Sequence, residues 1–319
     1  MVASHTDQTG KMTNSPVVNR LEALAIIVRL PAVLAYSGGG LMLAVGLAAR
    51  EHLIDSAWLN FALLTLAVVL MHGIMAHAVN DWMDWQTGTD RFSPGLLSGG
   101  SRVIPLRLLE PGHLVQISIL ALVITLILTG ILVYQLGWPI LLTFFVGLWS
   151  VTAYSLPPFM LSYRPLAGEW LCAFPALLAV IWGAHWSLTK VISNRLVLTS
   201  LIYGFLGQAW LAEHHLADIG ADLAAQPAKI TTVAWIAQRF GLSTARFVPA
   251  AYAALALPLI IYSKNLFQQP QLMHLAWPAL GSIFAALWAP PKNPVATTWA
   301  ELLMMILTIV EAGLLIALS

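Results

Sequence analysis

The chain has 319 residues, of which 59 % are hydrophobic and only 9 % are charged. Soluble domains carry about 25 % charged residues, so a water-soluble fold of this size is excluded. The formal net charge of +1 says little about partners; we expect membrane lipid around the chain and no nucleic acid. The composition predicts an integral membrane protein.

The polar N-terminal segment differs from the rest of the chain. Residues 1–19 are rich in Ser, Thr, Asn and Asp, which predicts a disordered tail. They do not form a signal peptide, because the first apolar run starts late and is preceded by Arg29. Residues 20–319 are predicted to form one membrane domain, with helices 1–4 over about 20–165 and helices 5–9 over about 166–319.

Nine apolar runs follow one another along the chain, and runs of about 17–25 residues span a bilayer as helices. They are continuous rather than alternating, which argues against barrel strands. The fold class is therefore predicted to be all-α with nine transmembrane helices. The runs are approximately Leu30–Ala49, Trp58–Val79, Leu114–Tyr134, Ile140–Leu156, Trp170–Ser187, Leu196–Ala212, Val248–Tyr262, Leu272–Ala289 and Ala300–Leu318.

The basic residues are unevenly divided between the two faces. Of the 15 Lys and Arg residues, only Arg50, Lys190, Arg195 and Lys264 fall on the face opposite the N-terminus. The positive-inside rule then favours a cytoplasmic N-terminus. We therefore expect the long loops, about 81–113 and 218–246, to lie on the cytoplasmic face.

Two acidic clusters stand where apolar runs end. The chain has only 14 acidic residues, yet Asp81, Asp84 and Asp90 form one cluster and Asp218 and Asp222 another. Spacings of three and four place each pair on one helical face, where like charges repel unless a cation lies between them. Mg²⁺ is held by one or two carboxylates together with phosphate oxygens, so the clusters predict a metal and diphosphate site; the alternative for a single pair is a solvated helix end.

A weak internal repeat relates the two clusters. Asp81 and Asp218 lie 137 residues apart, and Pro157-Pro158 and Pro290-Pro291 lie 133 residues apart. Two parallel four-helix repeats, plus one helix, would place a shared site between the halves. The alternative is that paired prolines end helices in any case.

Each polar residue near the clusters has two possible roles. Asn80 either holds a diphosphate or a metal-bound water, or caps its helix. Arg102, after Gly99-Gly100-Ser101, and Lys229 would neutralise a departing diphosphate, or would contact anionic lipid. Tyr154, with Arg164 beyond it, would stabilise a developing cation through its ring, or would belong to the interfacial aromatic belt.

Four histidines lie near the same ends of the predicted helices. A histidine metal site is one reading, and polar side chains bonded to neighbouring helices are favoured over it. The pair at the end of the sixth run would otherwise contact a substrate head group. The four are His72, His77, His214 and His215.

These motifs resemble those of the UbiA superfamily of membrane prenyltransferases. The stretch Asn80–Asp90, followed by residues 99–104, resembles the first motif and is most similar to the 1,4-dihydroxy-2-naphthoate prenyltransferases of menaquinone synthesis. Residues 154–169 resemble the loop between the fourth and fifth helices, and Asp218 to Thr231 resembles the second motif.

The resemblance implies nine helices around a cavity, a cap of cytoplasmic loops, and Mg²⁺-dependent transfer of a prenyl group from a polyprenyl diphosphate to a small aromatic acceptor. It implies that the four cluster aspartates Asp81, Asp84, Asp218 and Asp222 bind metal, with Asp90 in support. Asn80, Arg102 and Lys229 would bind the diphosphate.

Departures from the family pattern leave the acceptor open. Ala217 stands where the family often has Arg, His214-His215 stands where asparagines are common, and Gln226–Ala228 replaces a Gly before the lysine. Other acceptors of the family are 4-hydroxybenzoate, haem or chlorophyllide, and a phosphosugar. A divalent-cation transporter and a protein with an inactive site are the alternatives outside this activity.

Overall fold

The structure is a computed structural model that describes residues 5–6, 12–13, 16–52, 54, 57–91, 93–94 and 97–318. Most of the predicted disordered tail, residues 1–19, lies outside the described residues. Its described parts are two short antiparallel strands, His5–Thr6 and Met12–Thr13, and the start of the helix Pro16–Ile27. The prediction of disorder therefore stays a prediction.

Seven helices among the described residues are long and apolar enough to cross a membrane. Each coincides with one of the predicted apolar runs, and most extend a few residues beyond it. The all-α membrane fold is thereby confirmed. The seven are Leu30–Arg50, Trp58–Thr87, Pro111–Leu136, Glu169–Thr189, Asn194–His214, Leu242–Phe267 and Pro294–Leu318.

The other two predicted spans are helical but shorter. The fourth is Pro139–Ser155, with 17 residues. The eighth is Ala276–Trp288, with 13 residues, preceded by the 3₁₀ turn Pro270–Leu275. A count of nine transmembrane helices therefore stays a prediction. Two short helices outside the spans are Ile219–Ala224 and Thr232–Phe240.

Proline and glycine set several helix boundaries. Pro111, Pro139 and Pro294 each occupy the first position of a helix, where the missing N–H would have had no partner. Gly88 and Gly137 end helices with φ of 89° and 87°, a conformation that a side chain would disfavour. The bounds follow from local sequence rather than from packing.

The helices approach one another closely where side chains are small. A Cβ at Gly39 would collide with the hydroxyl group of Tyr203, which donates a hydrogen bond to Ala35 O at 2.7 Å. Large apolar side chains face outward instead, among them Ile119 and Leu120, which are 57 % and 61 % exposed. Such an apolar exterior is suited to lipid, not water.

Three connecting loops meet over one end of the bundle. Gln226 N donates to Thr87 O at 2.9 Å, and Leu166 N donates to Thr232 Oγ1 at 2.8 Å. These bonds join the loops that follow the second, fourth and sixth predicted spans. The result is a polar cap over the ends of the helices that carry the acidic residues.

Candidate active site

The first aspartate of the site lies within the second long helix, which continues past the apolar run to Thr87. Asp81 is 3 % exposed. Arg29, at the start of the first span, donates to Asp81 Oδ1, and Ser101 N donates to Asp81 Oδ2 at 3.1 Å. The carboxylate is therefore held between a guanidinium group and the loop that follows its own helix.

Asp84, one turn later on the same face, is at the centre of a second set of bonds. Lys229 Nζ donates to Asp84 Oδ2 at 2.6 Å, and Asn80 Nδ2 donates to the same oxygen at 3.1 Å. The hydroxyl group of Tyr163 donates to Oδ1 at 2.8 Å. Asn80 also donates to Ser155 Oγ at 3.4 Å, so it is not simply a helix cap.

Asp218 comes to the same place from the other half of the chain. Ser98 Oγ donates to its Oδ1 at 2.9 Å, Gly99 N donates to its Oδ2 at 3.1 Å, and Ser93 also donates to Oδ1. Because Gly99 and Ser101 are two residues apart, Asp81 and Asp218 carboxylate oxygens bonded to them are no more than about 13 Å apart. The structure thus brings the two clusters together.

Asp90 and Asp222 complete the group, and the pKa values of both are raised, chiefly by burial. Burial raises the pKa of Asp90 well above its usual value, and the charges of Asp84 and Asp81 raise it further. Burial likewise raises the pKa of Asp222, opposed by Lys229 and reinforced by Asp218. Asp222 Oδ2 is buried without a hydrogen-bond partner among the described residues.

The donor set fits a divalent cation of the Mg²⁺ type. Among the described residues, Arg29 pairs with Asp81 and Lys229 pairs with Asp84, and Asp222 Oδ2 has no hydrogen-bond partner. Within the described parts of the chain, no three His, Cys, Asp or Glu side chains gather closely enough to hold a metal alone. Mg²⁺ takes one or two carboxylates and fills its octahedron with water and substrate oxygens, and the unpartnered oxygen of Asp222 suits such a set of ligands.

An apolar cavity of about 460 Å³ is lined at one end by residues that bond or adjoin this acidic group. Asn80, Gly100 and Ser101 line its polar end. Its wall then passes between the helices to residues such as Leu64, Leu132 and Ile140, far from the acidic group along the bundle. The combination can hold a ligand with a polyanionic head and a long apolar tail.

The remaining predicted site residues occupy different positions. Tyr154 lines the cavity, and its hydroxyl group lies 3.4 Å from His215 Nε2. Arg164 is exposed, and its guanidinium group donates to Pro158 O at 3.4 Å. Arg102 is also exposed, with φ of 62°. The structure therefore brings Tyr154 to the site and leaves the two arginine side chains at the surface.

Several residues at the site were not predicted from the sequence, among them Arg29, Tyr163 and Ser98. Arg29 was counted only among the basic residues that set the orientation of the chain in the membrane. Its position directly before an apolar run could have marked it as a site residue. Tyr163 and Ser98 gave no signal of their own, because a tyrosine and a serine in polar loops are common. Each reaches an aspartate only through the folding of a loop.

Fold and site together define the class of this protein. It is an integral membrane protein of packed helices in which one loop bonds acidic residues from both halves and also lines an apolar cavity. Residues 32–309 match the model of the UbiA prenyltransferase family. The chain belongs to this family, as the sequence motifs predicted.

Solved structures with the same fold come from a UbiA homolog of Archaeoglobus fulgidus. One, bound to GPP and Mg²⁺, has a TM-score of 0.60 at 14 % identity and covers 92 % of this chain and 99 % of that chain. Another, bound to DMAPP and Mg²⁺, has a TM-score of 0.59 at 13 % identity, with coverage of 93 % and 99 %. No curated protein sequence matches the chain.

Proposed function

We propose that the protein transfers a polyprenyl group from a polyprenyl diphosphate to an aromatic acceptor in a Mg²⁺-dependent reaction. The observation that carries this proposal is that one loop bonds aspartates from both halves of the chain, and that residues bonded to Asp81 and Asp84 line one end of an apolar cavity. A prenyl diphosphate has the same division between a charged head and an apolar tail. The homologous structures bound to GPP or DMAPP with Mg²⁺ support the proposal.

The diphosphate would bind among Asp81, Asp84, Asp218 and Asp222, with Asp90 in support. When bound, Mg²⁺ supplies Lewis-acid neutralisation of the leaving group, worth several kcal/mol. The protein's part is to fix the carboxylates from two directions through the loop at 98–101. A preorganised cluster of this kind loses little free energy to rearrangement as charge develops.

Cationic and amide groups would hold the diphosphate itself. Lys229 is 4 % exposed and already lies beside Asp84, so its ammonium group is available where negative charge collects. Asn80 offers its amide from the cavity wall. Arg102 is proposed to contact the diphosphate from the exposed side of the loop.

The cavity would take the prenyl tail and protect the allylic cation from water. Exclusion of water prevents hydrolysis of a reactive intermediate, and the lining is predominantly apolar. Tyr154 lies in the lining near the acidic end, where its ring face would stabilise positive charge at C1. Arg164 would act in support from the adjoining loop.

The acceptor is proposed to be 1,4-dihydroxy-2-naphthoate or a related quinone precursor. The support is the similarity of residues 80–104 to the enzymes that prenylate it. An electron-rich ring would attack C1 of the prenyl chain as the diphosphate leaves. The protein would work in a bacterial inner membrane, with its N-terminus and this site facing the cytoplasm.

The test is transfer by purified protein in detergent. The assay combines Mg²⁺, a radiolabelled prenyl diphosphate and separate acceptors: the naphthoate, 4-hydroxybenzoate, a chlorophyllide and a phosphosugar. We expect label in the naphthoate product. Label in another product would reassign the acceptor, and absence of transfer to every acceptor would refute the proposal.

Matched variants connect this activity to the acidic group. Asp81→Ala and Asp218→Ala should each lower turnover by about 10²-fold or more, because each removes a proposed Mg²⁺ ligand and metal neutralisation of the leaving group is worth several kcal/mol. Glu22→Gln alters an exposed carboxylate and should leave turnover unchanged. Near-normal turnover in either aspartate variant, in protein that remains folded, would remove the metal assignment.

A further inference from the structure

A histidine and a glutamate form a pair in the wall of the apolar cavity. His214 is the last residue of the helix Asn194–His214, and Glu301 lies in the helix Pro294–Leu318. His214 Nδ1 lies 2.8 Å from Glu301 Oε1, and both residues line the cavity. The sixth and ninth predicted spans therefore bring a base and an acid together beside the volume assigned to the substrates.

The bond fixes which ring nitrogen can act on a ligand. A carboxylate oxygen accepts, so Nδ1 of His214 carries the proton and the lone pair of the neutral ring is on Nε2. The Glu301 side chain is 4 % exposed and the His214 side chain 15 %. Glu301 is thus enclosed while part of the imidazole ring remains accessible from the cavity.

The Glu301 carboxylate is in direct contact with the ring, and a carboxylate beside an imidazole stabilises the ring once it has accepted a proton. The ring of neighbouring His215 makes an edge contact with His214. Glu213 places a further carboxyl group near Glu301; it is 1 % exposed, and neither of its oxygens has a hydrogen-bond partner in the described structure.

The other cavity histidines lack this arrangement. His72 Nδ1 lies 2.6 Å from Ser37 Oγ, and His77 Nδ1 lies 3.2 Å from Gly73 O. Neither bond is to a carboxylate, so neither ring has a negatively charged partner that would stabilise its protonated form. His215 faces the hydroxyl group of Tyr154 at 3.4 Å. The base–acid arrangement belongs to His214.

We propose that His214, oriented by Glu301, accepts the hydroxyl proton of the aromatic acceptor; this rests on the proposed prenyl transfer. The O–H bond of the acceptor breaks and its proton moves to Nε2. The resulting aryloxide forms a bond from its ring carbon to C1 of the prenyl chain, while the C1–O bond breaks and diphosphate leaves. The proton on the attacked ring carbon then moves to the ring oxygen and restores the aromatic hydroxyl group.

In this step His214 is a catalytic residue and Glu301 a positioning residue. A carboxylate that holds an imidazole in one tautomer and stabilises its charged form performs this role in hydrolytic triads. General-base assistance is typically worth 10²–10⁴-fold in rate. The proposal also gives His214-His215 a reason to stand where the family commonly has asparagines.

The test compares His214→Gln, Glu301→Gln and wild type with hydroxynaphthoates of equal size but graded hydroxyl acidity. For the least acidic acceptor we expect each variant to lose about 10²-fold in transfer rate. The loss should shrink as acidity rises, because an acceptor that is already ionised needs no base. His52→Gln, an exposed histidine, is the matched control and should behave as wild type.

A second readout isolates the step from ionisation of the prenyl diphosphate. With ¹⁸O in the bridging position and no acceptor, ionisation and return exchange the label into a non-bridging position. The variants should keep the wild-type exchange rate within about twofold. An equal loss with every acceptor, a loss of exchange, or no loss at all would overturn the assignment.

The outcomes separate this inference from the function on which it rests. If wild type transfers to no acceptor, the proposed function fails whatever the variants do. If wild type transfers and the losses do not depend on acceptor acidity, only the role of His214 fails. Should His214→Gln not yield folded protein, Glu301→Gln decides by the same dependence on acidity.

Discussion

At the scale of single residues, Lys229 shows how the site balances charge. It is 4 % exposed and donates to Asp84 Oδ2 at 2.6 Å. Burial by itself would lower the pKa of Lys229, but the charges of Asp84 and Asp222 raise it well above its usual value. The lysine therefore stays charged at any physiological pH, and its ammonium group can bind an anion such as a diphosphate.

Replacement of Lys229 by Met should weaken prenyl diphosphate binding more than acceptor binding. Loss of one charged hydrogen bond costs about 1.5–3 kcal/mol, or roughly 10–100-fold in dissociation constant. Calorimetric titration with a non-hydrolysable analogue measures it, and Lys292→Met, at an exposed position, is the control. Equal affinities of variant and wild type for the diphosphate would contradict the role.

The ionised Asp222 carboxylate should lower the free energy of unfolding of the metal-free protein at neutral pH. Its pKa is raised by burial, so the folded state tolerates the protonated form and loses stability as pH rises from about 3.8 through the raised value. Asp222→Asn removes that loss. We expect the variant to be about 1–3 kcal/mol more stable than wild type near neutral pH and the difference to vanish in acid.

Thermal unfolding in detergent with a metal chelator, across a pH series, measures the effect. The same variant should lose the stabilisation that Mg²⁺ and prenyl diphosphate together give wild type. Glu22→Gln, at an exposed carboxylate, should follow the wild-type curve in both conditions. A variant less stable than wild type at neutral pH would show that Asp222 is already satisfied in the metal-free protein.

At the scale of elements, the loop at 97–101 is the piece that joins the two halves. Its backbone amides donate to Asp81 and to Asp218, which needs a tight path between the two carboxylates. Gly99 and Gly100 adopt φ of 81° and 73°, a region that residues with a side chain rarely enter. The loop reaches the acids with its backbone amides as well as with the Ser98 hydroxyl group.

Gly100→Ala should therefore damage the site. The added methyl group would collide with Asp90 Oδ2 and lie 3.2 Å from Asp81 Oδ1, and the positive φ would be strained as well. We expect turnover to fall and the Mg²⁺ concentration for half-maximal activity to rise several-fold. Gly112→Ala, where a methyl group would meet nothing within 4 Å, should leave both quantities unchanged.

At the scale of the whole molecule, the cavity links the acidic cap to the interior of the bundle. Its lining comes from most of the long helices, with a volume of about 460 Å³. No single helix encloses it, so its shape depends on how the bundle packs. The length of prenyl chain that the cavity accepts therefore depends on the packing of the helices, at positions distant from the acidic site.

Filling the far part of the cavity should change chain-length preference. Thr129 lines the cavity and is 6 % exposed, so Thr129→Trp should reduce transfer of long prenyl groups more than that of short ones. Competition between two labelled prenyl diphosphates measures the ratio. Ile127→Trp, on the 59 % exposed, lipid-facing side of the same helix, should leave the ratio unchanged; an equal fall for both lengths would contradict the position of the tail.

Much of the fold could be predicted from local sequence. The apolar runs beginning at Leu30 and Trp58 begin as helices at those residues, because the bilayer demands a continuous apolar stretch whose backbone bonds are internal. The ends were less accurate: the second helix continues to Thr87 and contains both Asp81 and Asp84. A helix need not stop where its apolar residues do.

The sequence by itself determined the membrane environment, the approximate spans and the acidic clusters, because each depends on residues that are close together in the chain. Only the tertiary structure decided that Asp218 and Asp81 are bonded to the same loop. It also decided that Arg29 bonds to Asp81, that Tyr163 bonds to Asp84 and that His214 contacts Glu301. Those contacts join residues from 20 to 119 positions apart. They depend on helix packing and loop closure, which residue types at local spacing do not encode.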